Sequence, residues 1–120
     1  MRHISEKIRN QLEVDPLMGQ CFRWLALRDH ECKGRITWEH GVIYAGRQLD
    51  EVWAIFGLCE YAHSVGVYQN TGIYNRNISE WIAVNRMTPA DERKYPKRDW
   101  DLRRRYLNSK YGQLHLPKTV

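Results

Sequence analysis

Residues 36–44 (Ile-Thr-Trp-Glu-His-Gly-Val-Ile-Tyr) constrain this chain most. β-Branched and aromatic side chains dominate the run, a composition that fits a pleated, half-buried strand. Glu39-His40 interrupts it. Neighbours on a strand point to opposite faces, so one of the pair is expected inside and the other outside. Flanked by Trp38 and by Val42-Ile43-Tyr44, an acid and an imidazole are costly in a core, and a buried carboxylate needs a partner or a metal. At a strand end such a pair can supply a metal ligand and a nearby general base, the imidazole being suited because it titrates near neutrality. The plain alternative is a solvated polar pair where the strand stops.

The segments around this run read as follows. Residues 4–13 predict a helix with Ser5 as cap and Ile4, Ile8 and Leu12 on one face, stopped by Asp15-Pro16. Residues 17–35 show no clear period and suggest a loop. After a turn at Ala45-Gly46, residues 49–57 allow a second short strand ended by Gly57, and 59–65 fit a short helix. Gly66 and the polar run Gln69 to Asn77 read as loop. Asn77 is a candidate cap for a helix carrying Ile78, Trp81 and Ile82. Thr88-Pro89 starts another helix. Asp99 can cap a last one over 100–110, with Leu102 and Tyr106 stacked one turn apart. Gly112 ends it, and 113–120 reads as a frayed tail. The order of helix, loop, strand, strand, helix and more helix is an α+β arrangement.

The 120 residues carry a formal charge of +5, with a pI near 9.3, which favours an anionic partner, nucleic acid first. Residues 97–112 hold six basic side chains against Asp99 and Asp101, a net +4; a solvated helix face is the bland reading of that stretch. No apolar run is long enough to span a membrane. The first 30 residues lack the apolar centre of a signal peptide, so an intracellular setting is expected. Trp53, Trp81 and Trp100 are expected in the core rather than as base-stacking platforms.

Three cysteines without an export signal argue against a disulfide framework. Cys59 and His63 are four apart and would share a helix face; with Cys21 and Cys32 they contain the donor types of a zinc tetrahedron, although no Cys-x-x-Cys pair is present. Three buried free thiols are the alternative.

Taken in order, Cys21, Cys32 to His40, Ile43 to Gln48, Trp53-Ala54-Ile55 and Leu58-Cys59-Glu60-Tyr61-Ala62-His63 resemble HNH nucleases, especially short phage-encoded HNH proteins. A looser similarity runs through Trp81-Ile82 and the basic end. The length of 120 residues suggests a single domain over 1–120, and the resemblance implies a small ββα-metal hairpin-plus-helix core at 17–67 within it, with an N-terminal helix and a helical, basic extension at 77–112. It implies that Glu39 and His63 hold a divalent cation such as Mg²⁺ or Mn²⁺, that His40 is the general base, and that Cys21, Cys32 and Cys59 belong to a separate structural zinc. DNA is the implied substrate. Arg35 or Arg47 would steady a phosphate, and Arg103, Arg104, Arg105 and Lys110 would grip the backbone. A host or phage protein is a further implied partner, and the bacterial cytoplasm the implied setting.

Two positions depart from the family pattern. Ala62 stands where a zinc ligand is usual, so His30 substitutes, or His63 is taken by the zinc, or there is no structural zinc. Ala54 stands where an Asn orients the base; Gln48 or an Asn in 70–77 are the replacements available. These departures motivate one alternative, a decayed module that binds DNA or a host protein without cutting; the near-neutral first half of the chain allows another, a zinc-stapled interaction module with no nucleic-acid role.

Overall fold

The computed structural model describes residues 4–65 and 75–116. Helix α1, Glu6–Glu13, is capped by the Ser5 side chain and buries Leu12. A 3₁₀ turn, Pro16–Gly19, follows. Where no period was legible a short helix α2, Phe22–Leu27, places Phe22, Arg23 and Leu25 inside. Strand β1, Ile36–His40, is followed by β2, Ile43–Tyr44, and β3, Arg47–Gln48. A 3₁₀ turn, Val52–Ala54, leads into β4, Ile55–Cys59, and a single π-type turn, Tyr61–Val65, closes this half. Beyond it lie α3, Arg76–Val84; α4, Pro89–Lys94; and α5, Trp100–Tyr111. The class is α+β, with two short antiparallel sheets, β1–β4 and β2–β3, among the described residues. No described helix is long and apolar enough to cross a membrane.

The expected strand over 36–44 is two strands broken at Gly41. A Cβ at Gly41 would fall 2.4 Å from the Phe56 ring, so the backbone runs directly over that ring and the chain leaves β1 there. The second strand also differs from expectation. It begins later, at Ile55, and continues through Gly57, which pairs with Trp38, to Cys59. Gly57 therefore sits mid-strand, where a Cβ would meet the Gln20 carbonyl at 2.5 Å. Every residue of β4 is buried, so the strand shows no alternation from which its ends could be read.

Phe56 stacks on Phe22 at 5.6 Å, each such ring contributing about 1.5–3 kcal/mol by burial. From β4 the core extends through Ile78, Trp81 and Ile82 to Trp100 and Leu107. Trp53, Trp81 and Trp100 are all buried in it. Arg86, just past α3, donates to the carbonyls of Trp53 (3.2 Å) and Ile55 (2.8 Å) and ties α3 to the start of β4. Burial pulls its pKa down to about 10, which leaves it charged.

Thr88 and Asp91 form a reciprocal capping box on α4, and Asp99 caps α5. The cap of α3 is Asn75 rather than Asn77; its side-chain oxygen accepts from the N–H groups of residues 77 and 78. Helix α5 buries Trp100 and Leu107 and leaves Leu102 and Tyr106 exposed, because Leu102 lies roughly 200° around the helix from Trp100. Leu114 and Leu116 pack against the core, so only the end of the expected tail, 117–120, lies outside the described residues. Most of the expected 69–77 loop lies outside them as well.

Residues 43–48 form a hairpin joined by Ala45 and Gly46, both at positive φ (50° and 78°). A two-residue turn of this kind favours Asn-Gly, and a left-handed alanine is disfavoured by about 1–2 kcal/mol. Ala45→Asn should raise stability by about 0.5–1 kcal/mol, read as a higher urea midpoint at unchanged m. Gly41→Ala should lower it by about 1–3 kcal/mol through overpacking against Phe56.

Candidate functional site

Three segments converge on one group of metal-type donors. Cys21 is the residue before α2, His30 and Cys32 lie in the loop after it, and Cys59 ends β4. The four donor atoms all lie within 4.8 Å of one another. His30 Nε2 is 3.7 Å from Cys21 Sγ and 3.5 Å from both Cys32 Sγ and Cys59 Sγ. In a tetrahedral zinc site with ordinary bond lengths, N and S stand about 3.6 Å apart. The donors fit, and the group can bind a metal such as zinc.

The surroundings fit as well. His30 Nδ1 is 2.9 Å from Asp29 Oδ1. Buried Arg23 holds that carboxylate in turn, with Nη2 2.7 Å and Nε 3.1 Å from Oδ2. A carboxylate behind a ligating imidazole fixes its tautomer and leaves the other nitrogen to the metal. Burial opposes ionisation of the Asp29 carboxyl, but the Arg23 and His30 contacts outweigh it and hold the pKa below the usual carboxylate value. Burial also opposes ionisation of Cys59, yet the N–H groups of Ala62 and Lys33 and the His30 ring bring its thiol down to about 7. Burial, with the neighbouring thiols, pushes Cys32 up to about 12, and burial raises Cys21. The three thiols therefore cannot all ionise by themselves, whereas a bound cation would stabilise every thiolate at once.

Ala62 does not leave this group short. His30 occupies the fourth place, and the Ala62 N–H donates to Cys59 Sγ at 3.4 Å. His63 is not a member of the group. The shared helix face expected for Cys59 and His63 does not form, because Cys59 still belongs to β4 when the chain turns.

His63 meets the other candidate site. Its Nε2 lies 3.0 Å from Glu39 Oε1, and Glu39 Oε2 accepts from the Thr37 hydroxyl at 2.8 Å. The Glu39 contact raises the His63 pKa. Burial would raise that of Glu39, but His63 and Thr37 lower it overall. Two ligands at right angles on a Mg²⁺-sized ion stand about 3.0 Å apart, so the pair suits a shared cation as well as a direct ion pair.

His40 turns the other way. Its ring is 4% exposed, and Nε2 faces Asp50 Oδ1 at 3.5 Å, within ion-pair range but without hydrogen-bond geometry. Asp50 Oδ2 accepts from the Ser5 N–H at 3.1 Å. Asp50 was not expected at the site: its segment has no usable period, and only the folded chain brings it beside His40. Of the replacements offered for the position of Ala54, Gln48 lies in β3, Asn75 caps α3, Asn77 accepts from Arg103 at 3.3 Å, and Asn70 lies outside the described residues.

The basic side chains are less free than their clustering suggests. Arg103 pairs with Glu80 (2.7 Å), and Arg104 with Glu92 (3.2 Å) and the Val84 carbonyl (2.9 Å). Arg105 bridges to Asp101 along the exposed face of α5. Arg35, Arg47 and Lys110 are exposed.

Comparison with protein-family models, with curated proteins and with solved structures finds no match to this chain.

With zinc as the probe, the protein should bind one ion, and chelation should lower its thermal midpoint. Cys59→Ser and His30→Ala should each abolish stoichiometric binding in a competition titration. Asp29→Asn should weaken zinc by about 10–100-fold while keeping the stoichiometry.

Proposed function

We propose that this chain is a metal-dependent DNA endonuclease of the HNH type, with β1, β4 and the turn Tyr61–Val65 as its ββα-metal core. The observation that carries this reading is the 3.0 Å approach of Glu39 and His63 from strand and turn, beside a separate Cys₃His group. Zinc in that group would staple the loop between α2 and β1 to the end of β4.

Glu39 and His63 are the residues that would hold Mg²⁺ or Mn²⁺. Such an ion supplies charge stabilisation at the phosphate and at the leaving oxygen. Thr37 orients the Glu39 carboxylate through its hydroxyl. His40 is the general base. With Nε2 turned towards Asp50, Nδ1 is the atom that accepts a proton from the attacking water, and Asp50 takes the orienting role that Ala54 cannot fill. Exposed Arg35 and Arg47 are the side chains for the scissile phosphate, where a forked guanidinium contact suits a tetrahedral anion. Arg105 and Lys110 add contacts to the backbone. Because Glu39 favours the protonated form of His63, proton and cation compete there, and cation affinity rises with pH through the raised His63 pKa. A cytoplasmic setting goes with this reading.

One observation favours a second reading. The His40 ring is almost enclosed, with 4% of the side chain exposed. On that reading the module binds DNA or a host protein without cutting.

A plasmid-nicking assay separates the two. The nuclease reading expects nicking with Mg²⁺ or Mn²⁺, a loss of at least about 100-fold in His40→Ala, and loss of the divalent-ion dependence in Glu39→Ala and His63→Ala. Stoichiometric DNA binding with no product from the wild type across several divalent ions would establish the second.

A further inference from the structure

Immediately past His40, a cavity of about 290 Å³ opens between the chain at Gly41–Ile43 and helices α3 and α5. Arg76, Arg98 and Arg103 line it, with Glu80 as the single acid among the lining residues. Three guanidinium groups against one carboxylate leave a surplus of two positive charges. Like charges gathered in this way repel one another unless an anion completes the set.

Two of the three are fixed in place. Arg98 Nη2 donates to the Ile43 carbonyl at 2.7 Å, and its guanidinium lies over the Trp100 ring at 4.8 Å. Arg103 Nη2 donates to Glu80 Oε1 at 2.7 Å and to Asn77 Oδ1 at 3.3 Å. Glu80 thus orients Arg103 and, at 3.5 Å, Arg98. The third, Arg76, is exposed on the first turn of α3 and has no acidic partner within ion-pair distance among the described residues. The helix dipole adds positive potential at that end. Two pre-oriented planar donor groups and one free to close suit a tetrahedral anion, which guanidinium forks bind with several parallel hydrogen bonds.

We propose that the Arg76–Arg98–Arg103 cavity is a phosphate-binding site, and that its ligand is a backbone phosphate of a nucleic acid lying across the end of β1. The site itself does not depend on cutting. It rests on the nuclease reading only in taking nucleic acid as the source of the phosphate.

The test uses the full chain without added divalent ions, so that hydrolysis plays no part. Inorganic phosphate and a short DNA duplex are the two probes. Arg76→Glu is compared with Lys7→Glu, which makes the same charge change on the exposed face of α1. Phosphate, against chloride at matched ionic strength, should raise the thermal midpoint of the wild type and of Lys7→Glu but not of Arg76→Glu. Duplex binding should weaken at least tenfold in Arg76→Glu relative to Lys7→Glu. The salt slope should fall by about 0.9 in Arg76→Ala, the value for one lost phosphate contact. Arg76→Gln should show a smaller change of the same sign. Protection by phosphate with unchanged duplex binding would support the site and make a small phosphate its ligand. No midpoint shift, with Arg76→Glu and Lys7→Glu binding duplex alike, would overturn it. A protein that shows these effects yet never nicks plasmid retains the phosphate site and loses only the nuclease reading.

Discussion

The antiparallel register between Ile36–His40 and Ile55–Cys59 decides where the candidate functional atoms lie. Pairing Ile36 with Cys59 brings the end of β4 beside the loop that carries Cys32. The Tyr61 N–H donates to the Lys33 carbonyl at 3.1 Å and continues that contact into the next turn. The turn then carries His63 back over β1 to Glu39. A slip of one residue would exchange the faces of the strand. Cys59 would leave the thiol group, and Glu39 would face away from His63. The close packing of β4 on both faces, with Phe56 stacked on Phe22 and Gly57 against the Gln20 carbonyl, holds the register, so packing and the geometry of both sites are one constraint.

The Cys₃His group is polar chemistry built into that packing. Its donors come from the start of α2, the following loop and the end of β4, segments that local structure alone does not hold together. Arg23 is buried with its charge matched by Asp29, and Asp29 is matched in turn to His30. This chain of contacts runs from the core to the imidazole nitrogen opposite the thiols. Its physical effect is pre-orientation, because the ring has one hydrogen-bonded tautomer and one free nitrogen.

Charge follows a different logic. The basic stretch near the C-terminus looks like a stripe in one dimension. Folding spends part of it on Glu80, Glu92, Asp101 and backbone carbonyls. Part of the positive charge that survives lies where Arg76, brought in from α3, joins Arg98 and Arg103 around the one carboxylate of Glu80. An excess of arginine in sequence is a statement about composition, whereas its potential at a surface depends on which carboxylates the fold places within about 4 Å.

By itself the sequence determined the α+β class, the β character of 36–44, the caps at Ser5, Thr88 and Asp99, the burial of the three tryptophans, and the three cysteines as candidate metal donors. All of these follow from residue type and short-range spacing. His30, two residues from Cys32, was within reach of that reasoning as the fourth donor. The tertiary structure alone decided that Gly57 lies inside a strand and that Asp50 faces His40. It alone separated Cys59 from His63 and paired Arg103 with Glu80 and Arg104 with Glu92. A fully buried strand has no alternation to read, and a partner distant in the chain leaves no periodic trace. The divergence of Glu39 and His40 was implicit in the two-residue period of a strand; what each side chain meets depended on the register of β1 against β4.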